Sequence, residues 1–220
     1  MSEWWTYTLS DFLLFTPRTY FHLFELYNAA VWPMQLLTFA LGLAILGRFR
    51  SRGRAAAAIL GALWLWVAFA FLLRRYATIN WAAAYWAWAF VLEAALVVWF
   101  GVVRAALWVD GRTGRAGPSL LLFALLVQPF IGLLMGRGWR GLEIFGAVPD
   151  PTVVGTLGLL LAARRRARPL LMIVPVLWCA MTGLTLLAMK APDFWIAPAA
   201  AAFSVALASR QARLRRSSAS

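Results

Sequence analysis

An all-α fold, a polytopic bundle of about seven transmembrane helices, follows from three features of this sequence. Its 220 residues are 63% hydrophobic and 13% charged, where soluble domains are about half apolar and about a quarter charged. The apolar excess falls in repeated runs, several near the roughly 20 residues that a helix needs to cross a bilayer. Arginines gather in short clusters between those runs. In lipid each segment must satisfy its own backbone, which a helix does, and the alternation that marks a spanning barrel is absent.

The N-terminal region, 1–28, reads as an external amphipathic segment. Thr16-Pro17 is a helix start, with the hydroxyl as cap and proline at the first helical position. The helix that follows carries Arg18, His22 and Glu25 on one face, at spacings of four and three. Tyr20, Phe21, Leu23, Phe24 and Tyr27 cover much of the rest. Such a helix lies in the outer interface until Pro33 redirects the chain.

The bundle, 29–208, divides into spans at 29–47, 55–73, 82–103, 119–135, 143–163, 169–189 and 195–208. Two are weak. The strongly apolar part of the fifth, 153–163, covers only about 17 Å as a helix. It must reach back through "EIFGAVPDP", kinked at Pro149 and Pro151, or dip in and return. The seventh is short and carries Pro198. The remaining 209–220 is a basic tail, expected to be disordered and drawn to anionic lipid heads.

Orientation follows from the basic residues. Fifteen arginines lie between spans one and two, three and four, five and six, and after seven; the other side carries Arg18, Arg74, Arg75, Arg137, Arg140 and Lys190. The richer side is cytoplasmic, which puts the C-terminus inside and the N-terminus outside an inner membrane. Glu3, Asp11, Glu25, Asp150 and Asp193 then fall outside, with Glu143 at that edge. The net charge of +13 is spread over these clusters rather than gathered in one domain. That pattern argues for a lipid partner and against nucleic acid.

Glu93 is the anomaly. It lies near the middle of the third span, where insertion of a carboxylate costs roughly 2.5 to 3.5 kcal/mol, so it should face protein or water. Trp86, Phe90, Val97 and Phe100 share its side of the helix; Ala83, Ala87, Ala94 and Gly101 form a small-residue stripe next to it. A carboxyl in that setting is expected to favour its protonated form. It is either a proton- or cation-carrying group of a pathway or a neutral acid bonded across helices, to Gln35 or Gln128. Gln128-Pro129 is a second polar break, able to line a cavity or simply to kink the helix. Arg18, His22 and Glu25 form either a site at the outer mouth or, the better reading, a solvated polar face. Arg74 and Arg75 could recognise an anion or anchor a helix end. Trp81, Trp139 and Trp195 fit the interfacial aromatic belt.

Catalytic signatures are missing. There is no GxxxxGK[ST] loop; "GRTGRAG" has neither the lysine-hydroxyl pair nor a preceding strand. No GxSxG, HExxH or paired-carboxylate arrangement appears, and Cys179 has no nearby histidine. One cysteine and one histidine exclude a bis-His haem, an intrachain disulfide or a multi-His metal centre within one chain. Lys190 stands at a span end, which disfavours a retinal pigment. The sequence predicts neither an enzyme nor a cofactor.

The stretches "EWWTYTLSDFLLFTPRTYFHLFELYNAAVWP", "YATINWA" and "FGAVPDPT" resemble a family of small bacterial multi-pass membrane proteins of unknown function, over nearly the whole chain. Some of its members are loosely labelled as permeases of the major facilitator type. Seven spans fall short of that superfamily's two six-helix halves. The resemblance brings no assigned site residue. The expectation is therefore a small transporter or permease-like protein of unknown substrate. The alternative is a non-enzymatic accessory or assembly subunit docked against other membrane subunits.

Overall fold

The computed structural model describes residues 13–49, 51–105, 107, 115–163 and 167–217, with side chains to 213. Glu3, Asp11, the 1–12 part of the N-terminal region, Arg50, Arg112, Arg164, Arg165, Arg166, most of "GRTGRAG" and 218–220 lie outside the described residues.

All regular structure among the described residues is helical. Helix α1 is Pro17–Val31, with the Thr16 hydroxyl accepting from the Thr19 amide at 3.2 Å. It continues three residues past the expected boundary at 28, then meets α2, Met34–Arg48, at 91°. Proline at 33 disfavours helical backbone for Trp32 and has no amide to continue the ladder, so the turn falls there. Residues 29–31 thus belong to α1, and only 34–47 of the first expected span lie in α2. Helix α3, Gly53–Trp66, runs on through wider turns at Val67–Leu73, and α4, Ala83–Val98, does so at Trp99–Val103. The amides of Arg74 and Arg104 bond five residues back, to Phe69 and Trp99, as in π-type turns.

Helix α5, Ala116–Leu126, and α6, Gln128–Leu134, meet at 46° beside Pro129. Helix α7 is Pro149–Leu161, and α8, Arg168–Leu171, leads into α9, Ile173–Ala188. The last helix, α10, spans Ile196–Ser217. Its C-terminal part overturns the expectation of a disordered tail at 209–217. Ala, Gln, Leu and Arg are good helix formers, and the turn begun in the apolar half costs little to extend.

Three segments are long and apolar enough to cross a membrane: Gly53–Thr78, Ala83–Val103 and Arg168–Ala188. Counting each bent pair, α1 with α2 and α5 with α6, as one span gives five. Helices of this kind mark a membrane protein. The fifth predicted span starts later than expected, at 149 rather than 143. Residues 143–148 are loop, and α7 has 13 residues, about 20 Å, against a hydrocarbon core of about 30 Å. Every α7 residue except Asp150 is buried, because α5, α9, α10 and α3 surround it. It is the central post of the bundle.

Glycine makes the tightest crossing possible. A Cβ on Gly158 would stand 2.7 Å from the Gly117 carbonyl, and one on Gly117 would stand 2.6 Å from that of Gly158. The backbones of α5 and α7 touch there, as small residues allow in membranes. The Ala83, Ala87, Ala94 and Gly101 stripe is buried, and Gly61 of α3 faces Ala94 and Val98 across the α3–α4 contact. At the cytoplasm-facing end of the predicted topology, buried Arg168 donates to the carbonyls of Leu161 and Ala163 and to Gln211 Oε1 at 2.6 Å. One guanidinium closes the end of α7 and ties α10 to it.

Candidate functional site

The polar groups within the bundle fall into separate places. Glu93 is fully buried, and neither carboxyl oxygen has a hydrogen-bond partner among the described residues. The expected bond to Gln35 or Gln128 is not formed. Gln35 donates instead to the Asn28 carbonyl at 2.7 Å, and Asn28 donates to the carbonyls of Arg140 and Leu142 at 2.7 and 2.9 Å. This chain of amides ties α2 and α1 to the 135–148 loop. Two of the aromatics expected on its side of the helix pack against other rings: Phe90 on Trp64 at 4.3 Å and edge-on to Trp178 at 5.0 Å, with Trp86 also edge-on to Trp178 at 5.3 Å.

Arg18, His22 and Glu25 line an open groove on α1 with Thr19 and Phe21, and His22 Nδ1 lies 2.9 Å from Glu25 Oε2. Both side chains of that pair are solvated. Arg74 and Arg75 line another groove with Tyr27, Trp32 and Trp66.

Gln128 has the most chemical company. It lines a cavity with Tyr20, Glu143, Asp150 and Asp193, walled on the apolar side by Ile131, Gly132, Leu186, Ile196 and Ala197. The cavity holds about 20 Å³ for an occupant's centre, room for about one water. Arg137 donates to Glu143 Oε1 at 3.2 Å and to Asp193 Oδ2, and its guanidinium lies 4.4 Å over the Phe21 ring. Three attachments of this kind hold an arginine in place. Asp150, in the first turn of α7 where the helix dipole favours an anion, accepts from Trp178 Nε1 at 2.6 Å and Thr182 Oγ1 at 3.0 Å. Residues 178 and 182 are four apart, so α9 presents both donors on one face.

Three carboxyls meet one guanidinium, and burial limits solvent compensation. Burial first, then the nearby Asp150, with Arg137 opposing and Asp193 adding, push Glu143 above the usual carboxylate range. On two of the lining residues, Gln128 Oε1 and Asp193 Oδ1 are buried without a hydrogen-bond partner among the described residues. No group of three His, Cys, Asp or Glu among the described residues is placed to hold a metal ion.

A family model matches residues 18–219. The chain belongs to DUF6064, a family of unknown function. No curated protein and no solved structure matches it.

In this DUF6064 chain, then, the structure brings one sequence candidate, Gln128, into a charged site and leaves Glu93, Gln35, the α1 face and the Arg74–Arg75 pair elsewhere. Arg137, Glu143, Asp150 and Asp193 entered the sequence reading only as markers of sidedness. A signal for two of them was present. Asp150 follows Pro149 at the start of α7, and Asp193 follows Pro192 in the turn that leads to α10. Prolines there fix where a helix begins, and so where an acid in its first turn will point.

Proposed function

We propose that the chain is a small, non-enzymatic transporter-like protein of the inner membrane, whose outer mouth is the Gln128, Glu143, Asp150 and Asp193 cavity. In this reading α2, α3, α4, the α5–α6 pair, α7, α8–α9 and α10 are the seven crossing segments, and α1 lies in the outer interface. The arginine distribution supports a cytoplasmic C-terminus and an external N-terminus. Short α7 crosses within protein, which spares it the length that a lipid-facing helix needs.

One observation carries the reading: acidic side chains outnumber arginine around a cavity between helices, and two buried oxygens on its lining residues have no hydrogen-bond partner among the described residues. Retaining ionisable groups in a membrane protein is costly, and pathways are where that cost is met. Glu93 stands apart, fully buried and outside the lining of this cavity. The test is cation flux in liposomes. Full-length protein should admit cations faster than empty vesicles under an inside-negative potential, and the acceleration should saturate. Equal rates would contradict the proposal.

A second reading, an accessory subunit, draws on α4. Tyr85, Trp88, Leu92 and Trp99 are exposed along it, a face that another membrane helix could cover. Co-purification of a stoichiometric membrane partner, with loss of that partner on Trp88→Ala, would favour it over transport.

A further inference from the structure

The groove of Arg74 and Arg75 joins a cationic end to an apolar floor. It opens beside the 91° turn between α1 and α2, where the apolar segment Gly53–Thr78 ends. Trp66, Ala70 and Arg74 follow one another at spacings of four and line it together, so a strip leads from the charged end back along that segment. Trp32 and Met34 line it from the α2 side. Its volume of about 350 Å³ is that of a small-ligand pocket, roughly 300–1,000 Å³. Two of its polar side chains are already committed. The Tyr27 phenol donates to the Ala147 carbonyl at 2.8 Å and accepts from Trp66 Nε1 at 3.1 Å. Arg74 and Arg75 have no ion pair among the described residues, and no acid lines the groove. Guanidiniums and indoles donate and do not accept, so the side chains left for an occupant are positive and donor-only.

We propose that this groove holds one anionic phospholipid, its phosphate on Arg74 and Arg75 and the start of its chains along Ala70, Trp66 and Met34. The inference is separate from the transport reading and needs only that the bundle lies in a bilayer. The end of a span is where headgroups lie, and arginine is suited to phosphate oxygens because its donors form a fixed fork. A zwitterionic lipid brings an ammonium as well, and no acid in the groove answers it, so complementarity favours a net negative head. A free phosphate would meet the arginines and leave the apolar strip in water; a lipid covers both. Sidedness does not account for the pair. In the proposed orientation Arg74 and Arg75 stand on the side that basic residues avoid.

The test is native mass spectrometry of the full-length protein in detergent, titrated with phosphatidylglycerol or phosphatidylcholine, with inorganic phosphate as competitor. Wild-type protein should retain one phosphatidylglycerol at about tenfold lower lipid concentration than phosphatidylcholine. Arg74→Gln combined with Arg75→Gln should erase that preference. Arg74 is exposed and Arg75 half-buried, so this variant should fold. Ala30→Trp, at an exposed position on the groove wall, keeps both charges and fills the space; it should weaken retention too. If the double variant does not fold, Ala30→Trp decides alone. Arg210→Gln combined with Arg213→Gln removes the same charge from α10 and should leave retention unchanged. Equal retention of the two lipids by wild-type protein overturns the assignment. So does a preference that survives both groove variants, or one lost equally in the α10 variant, which would make it general charge attraction. Displacement of the lipid by millimolar inorganic phosphate also overturns it and makes the groove a site for a free anion.

Discussion

Glu93 and Asp150 are both carboxyls set within the helix bundle, and they differ in what answers them. Asp150 has an indole and a hydroxyl donor; Glu93 has no hydrogen-bond partner among the described residues. A polar group buried without a partner costs stability, and an apolar group of similar size removes that cost. Glu93→Leu should therefore raise the thermal midpoint in detergent, by the equivalent of about 1–3 kcal/mol. A clear drop would mean that Glu93 has a stabilising partner. Glu143 makes a prediction of opposite kind. Its folded-state value is raised from 4.5 to about 8, with Arg137, Asp150, Asp193 and Tyr20 facing it. Between those values the native state holds a proton that the unfolded chain has released, so stability should fall as pH rises through that window. Glu143→Gln should flatten the slope; an equally steep slope in the variant would assign it to another group. At this scale the sequence exposed Glu93, because an acid in an apolar run is conspicuous. It hid Asp150 and Asp193, because acids beside prolines at segment ends look like ordinary loop residues.

Among elements, α7 is the one that others are built around. Its contact with α5 is backbone to backbone at Gly117 and Gly158, so neither side can yield to a methyl group. Gly158→Ala should cost about 1–3 kcal/mol through overpacking, measured as a lower unfolding midpoint; an unchanged midpoint would show that the helices are farther apart. At the other end of α7, Arg168→Ala would strip two carbonyls and Gln211 of their donor. A loss of about 2 kcal/mol or more is expected, with faster amide exchange at 159–163 and in the second half of α10. Unaltered exchange would remove the latch from the account. Helix starts were legible where local chemistry sets them: Thr16-Pro17 caps α1, and Pro33 and Pro129 bend the chain. Lengths were less so. The extent of α7 depends on burial by four neighbours, and that of α10 on a helix continuing past its apolar half; neither is a property of the local sequence.

For the molecule as a whole, hydropathy and arginine distribution made a helical membrane bundle plain, because lipid leaves so few alternatives. How the loops at the Arg137 end of the bundle come together was not plain. The 135–148 loop is pinned by Asn28 amide bonds and by Arg137 reaching across to Asp193, contacts between residues far apart in sequence. Sidedness has its own check. In a Cys179→Ala background, Trp139→Cys should react with an impermeant maleimide on intact cells, since Trp139 is exposed on that loop. Ser209→Cys should react only after the membrane is opened. The reversed pattern would invert the topology. Most direct of all is one side-by-side flux measurement in liposomes. Asp150→Asn, which keeps the shape and removes a charge from the mouth, should lower cation flux about tenfold or more. Glu93→Gln should leave the flux near wild type. Flux lost in Glu93→Gln and kept in Asp150→Asn would place the pathway at the sealed acid and contradict the account.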